Sequence, residues 1–134
     1  MERRFLAGKI HRAIVTSCNV DYEGSISLDP KLMRAAGIAS YEQVHVYNVT
    51  NGNRLVTYAI PGSKGEVGLN GAAARLFTVG DLAIVISYLN LQQEEIDGYV
   101  PTVVLVDAHN AITYAGPPPS EPAPNKAPAR SKKR

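Results

Sequence analysis

A chain of 134 residues, 45% hydrophobic and 19% charged, suits one domain that buries its own core without disulfide or metal staples. The single cysteine, Cys18, excludes an internal disulfide framework, and no apolar stretch reaches the length of a membrane span. The formal charge of +2 is unevenly distributed: five of the 14 basic residues but only one of the 12 acids lie beyond residue 116, so that segment carries +4 and the preceding body −2.

Charges at Glu2, Arg3 and Arg4 open the chain, and Lys9, His11 and Arg12 interrupt any apolar run well short of a signal-peptide core. The expectation is a cytoplasmic protein. From Lys9 to Thr16 the residues alternate as in a strand, with Ile10 and Ile14 on one face and Lys9 and His11 on the other. Read by itself, His11 is a sheet histidine, and Cys18 a small apolar residue.

Tyr22-Glu23-Gly24-Ser25 breaks two strand-like stretches. A Gly-Ser pair is most often an ordinary turn. It also has a reactive reading, because a serine oxygen beside a glycine held in a strained turn can attack the preceding carbonyl and turn the amide into an ester. Elimination then releases the first segment, and the dehydroalanine left at position 25 hydrolyses to a ketone, an electrophile that no standard side chain provides.

Ile26 and Leu28 make a short strand after the break. Asp29 through Gly37 has an acidic N-cap, proline at the first helical position and glycine just past the end, so it predicts a helix of about two turns with Leu32, Met33 and Ala36 on its apolar side. Gln43 to Val49 and Arg54 to Ile60 are strands joined through Asn51-Gly52, a strong hairpin signal. On the second of these, Arg54 and Tyr58 face one side and Thr57 the other. All three meet in one site only if the strand twists or bulges, or if neighbouring subunits share the site.

Pro61 to Gly65 is a loop, Val67 to Leu69 a short run, and Asn70 to Leu76 a small-residue segment whose opening amides would favour an anion, although read alone it is better taken as Ala-rich packing. Leu82 to Tyr88 is nearly continuously apolar, as in a central strand. Gln92 to Asp97 suits one helical turn, and Pro101 to Asp107 a last strand. Six or seven short strands with two small helices predict a mainly β, compact barrel. That domain spans 1–116. Six of the nine prolines fall in 117–134, and this basic, Pro-rich tail lacks apolar periodicity and is expected to be disordered.

Gly8-Lys9-Ile10-His11-Arg12, Tyr22-Glu23-Gly24-Ser25, Asn48-Val49-Thr50-Asn51-Gly52 with Arg54, Thr57-Tyr58-Ala59-Ile60 and Asn70-Gly71-Ala72-Ala73-Ala74 stand in one order and spacing. Together they closely resemble the pyruvoyl-dependent aspartate 1-decarboxylases, from about Met1 to Tyr114. The resemblance implies a double-psi β-barrel, a homotetramer, and self-cleavage at Gly24-Ser25 that leaves a covalent pyruvoyl group on Ser25, with neither metal nor pyridoxal phosphate. L-aspartate would condense with that group as a Schiff base and leave as beta-alanine and carbon dioxide, for pantothenate biosynthesis. Lys9 and Arg54 would meet the substrate's carboxylates, Arg54 with a fork suited to bidentate pairing. The family's pattern makes Ser25 and Tyr58 catalytic, Tyr58 as the group that returns a proton. It gives Thr57 a part in cleavage and substrate binding, and lines the pocket with Gly71, Ala72 and Ala73. Tyr47 stands where tryptophan often occurs, and Asn19 and Asp21 differ from the more usual residues.

A second reading is a non-enzymatic DNA-binding barrel, since Ser27-Leu28-Asp29-Pro30 through Arg34 to Gly37-Ile38 resembles the strand-Pro-helix-Gly-Ile element of swapped-hairpin regulators. A body of −2 argues against it, because phosphate contacts call for a basic face. No nucleic-acid or membrane partner is therefore expected. A pyridoxal-dependent scaffold of two domains would not fit in so short a chain.

Overall fold

The computed structural model describes residues 1–119, so most of the predicted tail lies outside the described residues. Its strands are β1 (Glu2–Ile14), β2 (Ser17–Asn19), β3 (Ser25–Leu28), β4 (Gln43–Asn48), β5 (Arg54–Pro61), β6 (Val67–Asn70), β7 (Leu82–Gln92), β8 (Thr102–Val106) and β9 (Ile112–Gly116). One α-helix, α1 (Pro30–Ala36), and two 3-10 segments, Gly71–Leu76 and Gln93–Glu95, complete the described fold. The protein is mainly β with small helices, as the alternating patterns predicted.

The strands form one mixed sheet in the order β2-β6-β3-β5-β4-β7-β1-β8-β9. Parallel pairing of β1 with β8, β2 with β6 and β3 with β5 sits among antiparallel pairs, which a simple meander does not produce. Leu69 of β6 and Val104 of β8 come from near opposite ends of that order, yet both belong to one core cluster with Ile10, Ile26, Val44 and Val85. The sheet therefore curls around a single interior.

Two strands escaped the sequence reading, and two are longer than expected. β2 has only three residues, and β9 is mostly exposed, so neither carries a strong apolar alternation. β1 starts at Glu2 and β7 runs to Gln92 because the two pair from Glu2↔Gln92 to Ile14↔Leu82, extending as a ribbon past the core. Backbone pairing sustains that ribbon where the side chains are polar.

α1 follows its local signals. Asp29 accepts from the Lys31 N–H at 2.8 Å, Pro30 opens the helix, and Gly37 closes it at φ 74°. Leu32, Met33 and Ala36 are buried, and Ile38 after the cap is 5% exposed. The strand-Pro-helix-Gly-Ile element thus closes the core. Gly8 makes room for it: a Cβ there would lie 1.9 Å from the Ala36 carbonyl oxygen. The β4-β5 hairpin turns where predicted, with Asn48 Oδ1 accepting from the N–H groups of Thr50 and Asn51, and Gly52 at φ 83°. No described helix is long and apolar enough to cross a membrane.

Candidate active site

Ser25 is the first residue of β3 and 1% exposed, while Gly24 just before it is exposed. Antiparallel pairing of β3 with β6 sets Ser25 opposite Asn70. The Asn70 side-chain amide donates to Ser25 Oγ at 2.8 Å and to Ser27 Oγ at 2.9 Å. Ser25 Oγ also faces the Glu23 carbonyl at 3.5 Å, a longer and weaker contact. A buried hydroxyl is thus fixed by an amide at the edge of an exposed loop.

The glycine requirement sits partly at another position than the sequence suggested. Gly24 does not have a positive φ, and a Cβ on it would meet nothing within 4 Å among the described residues. Gly71 has φ 65°, and a Cβ on it would lie 2.7 Å from both Cα and N of Gly24 and 3.0 Å from the Tyr22 carbonyl oxygen. The bare backbone of Gly71 therefore lets the Tyr22–Gly24 loop lie against the 3-10 segment. Beside this contact opens a hollow of about 300 Å³ lined by Gly24, Leu55, Val56, Thr57, Ala72, Ala73 and Leu76. Ser25, Gly24, Thr57, Gly71, Ala72 and Ala73 accordingly share one neighbourhood.

Lys9, Arg54 and Tyr58 do not join it within the chain. Thr57 pairs with core Val44, so Arg54, Val56 and Tyr58 project from the opposite face of β5. There the Arg54 guanidinium lies over the Tyr47 ring, 4.6 Å from its centroid, at cation–π distance. The Tyr47 and Tyr88 hydroxyls are 3.4 Å apart, and the Tyr88 ring meets His45 edge-on at 5.0 Å. The Tyr88 phenol is pushed up to about 12, first by its hydrogen bond with Tyr47 and then by burial, so it stays protonated. Tyr58 stacks with Tyr41, with centroids 6.1 Å apart and planes at 29°. Lys9 pairs with Ile86, which pairs with His45, so Lys9 shares this outward face. It stands three strands from β5, about 14 Å at the usual strand spacing.

His11 follows Lys9 on the same face of β1, and its buried Nδ1 has no hydrogen-bond partner among the described residues. Burial first, then the charges of Lys9 and Arg12, lower its pKa. Three participants had no role in the sequence reading: Asn70, Ser27 and Tyr41. Asn70 stood within a quoted motif, but its place opposite Ser25 follows only from the β3-β6 register.

Residues 1–113 match the family model described as Aspartate decarboxylase. The chain is 54% identical to the aspartate 1-decarboxylase of Acaryochloris marina over 119 residues, covering 87% of this chain and 91% of that protein. It is 51% identical to that of a Hydrogenobaculum species over 112 residues, 84% of this chain and 90% of the relative. With that of Mycolicibacterium smegmatis it shares 48% identity over 129 residues, 95% of each.

Proposed function

The chain belongs to the aspartate decarboxylase family and is a carboxy-lyase, an aspartate 1-decarboxylase; from that premise we propose that Ser25 is both its self-cleavage nucleophile and the source of its pyruvoyl group. The observation that carries this reading is the Asn70 amide held 2.8 Å from a buried Ser25 Oγ immediately after an exposed glycine.

Ser25 Oγ adds to the Gly24 carbonyl carbon as the C–N bond breaks, leaving an ester between the two residues. Elimination removes the Ser25 Cα proton to solvent and breaks the Cβ–Oγ bond, Gly24 departs as a carboxylate, and hydrolysis of the dehydroalanine releases ammonia. Thr57, which lines the hollow, and the Asn70 amide, which donates to Ser25 Oγ, are suited to hold the Gly24 carbonyl and Ser25 Oγ during the shift. The residues around position 25 fit a carbonyl group at that place, since an amide donor already points there and a hollow opens beside it. A ketone at position 25 would supply a covalent anchor for an amine and a sink for the electrons of decarboxylation.

The remaining work falls to side chains. Ala72, Ala73 and the backbone at Gly71 shape the hollow. Arg54 and Lys9 pair with the substrate's carboxylates, with Arg54 steadied by Tyr47. Tyr58 delivers the proton that completes beta-alanine. Because Thr57 and Tyr58 face opposite sides of β5, the site is completed between copies. One subunit supplies Ser25, Thr57 and the Gly71–Ala73 segment, and a neighbour supplies Lys9, Arg54 and Tyr58, within a homotetramer. This reading places the enzyme in the cytoplasm at the supply of a pantothenate precursor, with no metal, pyridoxal phosphate, nucleic-acid or membrane partner. The experiment is to compare purified wild type with Ser25→Ala: the first should be cut before residue 25 and form beta-alanine, and the second should do neither.

A further inference from the structure

Tyr41 is out of place by every local criterion. Its φ is +71°, a region that glycine and asparagine visit readily and that a bulky aromatic rarely adopts. The residue is 76% exposed, so burial in the core does not account for the choice. What the ring does touch is Tyr58, stacked at 6.1 Å and 29°.

The loop that carries Tyr41 is tied to the strand residue next to Tyr58. The Tyr41 N–H donates to the Ala59 carbonyl at 2.7 Å, and the Ala59 N–H donates to the Glu42 carbonyl at 3.0 Å. Glu42 closes the loop on itself: its side chain accepts from the Ala39 N–H at 2.9 Å, and its N–H donates to the Ala39 carbonyl at 3.1 Å. A strained backbone persists where its surroundings over-determine it, and here two backbone bonds at Ala59 fix the strained residue in register with Tyr58.

We infer that Tyr41 is a positioning residue for Tyr58, its ring limiting the phenol to the orientation from which the hydroxyl reaches the substrate carbon. This rests on the reading of Tyr58 as proton donor. Without the stacked ring, Tyr58 is free to turn about its side-chain bonds and spends less time in the productive pose. Tyr41 would then act on turnover while leaving self-cleavage, which occurs on the other face of β5, untouched.

The test compares Tyr41→Asn, Tyr41→Gly and Tyr41→Phe in the full-length enzyme, with cut chains counted by mass before assay. Asparagine and glycine are at home at that φ and remove the ring, so each should cleave fully and melt no lower than wild type. Their kcat per cut chain should fall about 2- to 10-fold, the span a stacked aromatic pair is worth, with KM for aspartate unchanged. Tyr41→Phe keeps the ring and should restore kcat. In a Tyr58→Phe background, Tyr41→Asn should cause no further loss. Wild-type kcat in both ring-less variants, a change in KM alone, or an equal loss in the Tyr58→Phe background would overturn the inference. A Tyr58→Phe enzyme turning over at the wild-type rate would instead defeat the donor reading beneath it. A slow Tyr58→Phe with fast Tyr41→Asn and Tyr41→Gly would defeat the Tyr41 inference alone.

Discussion

Asn70 and Ser25 face each other across the antiparallel β3-β6 pair, and the asparagine amide donates to the serine oxygen at 2.8 Å. The same amide donates to Ser27 Oγ, so one side chain orders two buried hydroxyls. Replacing Asn70 by Ala leaves both without that partner, a change of about 1–3 kcal/mol for a buried polar group. If that difference falls on the arrangement that precedes the acyl shift, cleavage should slow about 5- to 150-fold. A time course of intact mass after purification measures it directly, and cleavage at the wild-type rate would remove Asn70 from the account.

Gly71 tests the loop contact independently. An added methyl would meet Gly24 Cα and N at 2.7 Å, and the positive φ disfavours any side chain there. Gly71→Ala should therefore displace the Tyr22–Gly24 loop and impair cleavage. Gly24→Ala meets no neighbour within 4 Å among the described residues, and its chain should fold with a melting temperature close to wild type.

The proposed division of the site between copies predicts complementation. Ser25→Ala chains retain Lys9, Arg54 and Tyr58, while Tyr58→Phe chains retain the cleavage residues. Each homo-oligomer should be defective, Tyr58→Phe by about 10²–10⁴-fold in turnover if general acid catalysis is lost. Oligomers co-expressed from both should recover a fraction of wild-type turnover, and hybrids no better than either parent would place the whole site in one subunit.

Asp29 links the fold to pH. It is 7% exposed; burial alone would raise its pKa, but N–H donation from Gly65 and Lys31 and the charges of Lys31 and Arg34 hold it below the usual carboxylate value. A depressed folded pKa means that the unfolded chain takes up the proton first as pH falls. The stabilisation is thus complete above about pH 4 and is lost on descending through the folded pKa. Asp29→Ala should lower stability at pH 7 by about 1–3 kcal/mol, the loss of a helix cap and a second backbone bond. The gap in melting temperature between this variant and wild type should narrow below pH 4.

Much of this was legible in the chain because it depends on neighbours in sequence. Asp29-Pro30 and Gly37 mark the ends of α1, Asn51-Gly52 places the hairpin, and alternation at Val44 and Val46 gives the core face of β4. The opposite facing of Thr57 and Tyr58 also follows from strand geometry alone. What sequence could not supply was register between distant segments. The pairing of Ser25 with Asn70 joins residues far apart in the chain, and so does the contact of Gly71 with Gly24. Tyr41 was hidden for another reason: nothing in its residue type announces a positive φ.

Attack of Ser25 on its own backbone is read from the intact mass of purified wild-type protein after ageing or mild heating. Two species are expected, one ending at Gly24 and one beginning at residue 25 with an N-terminus that resists Edman degradation and reacts with carbonyl reagents. Their appearance should track beta-alanine formation. A single uncut chain that decarboxylates aspartate at full rate would contradict it.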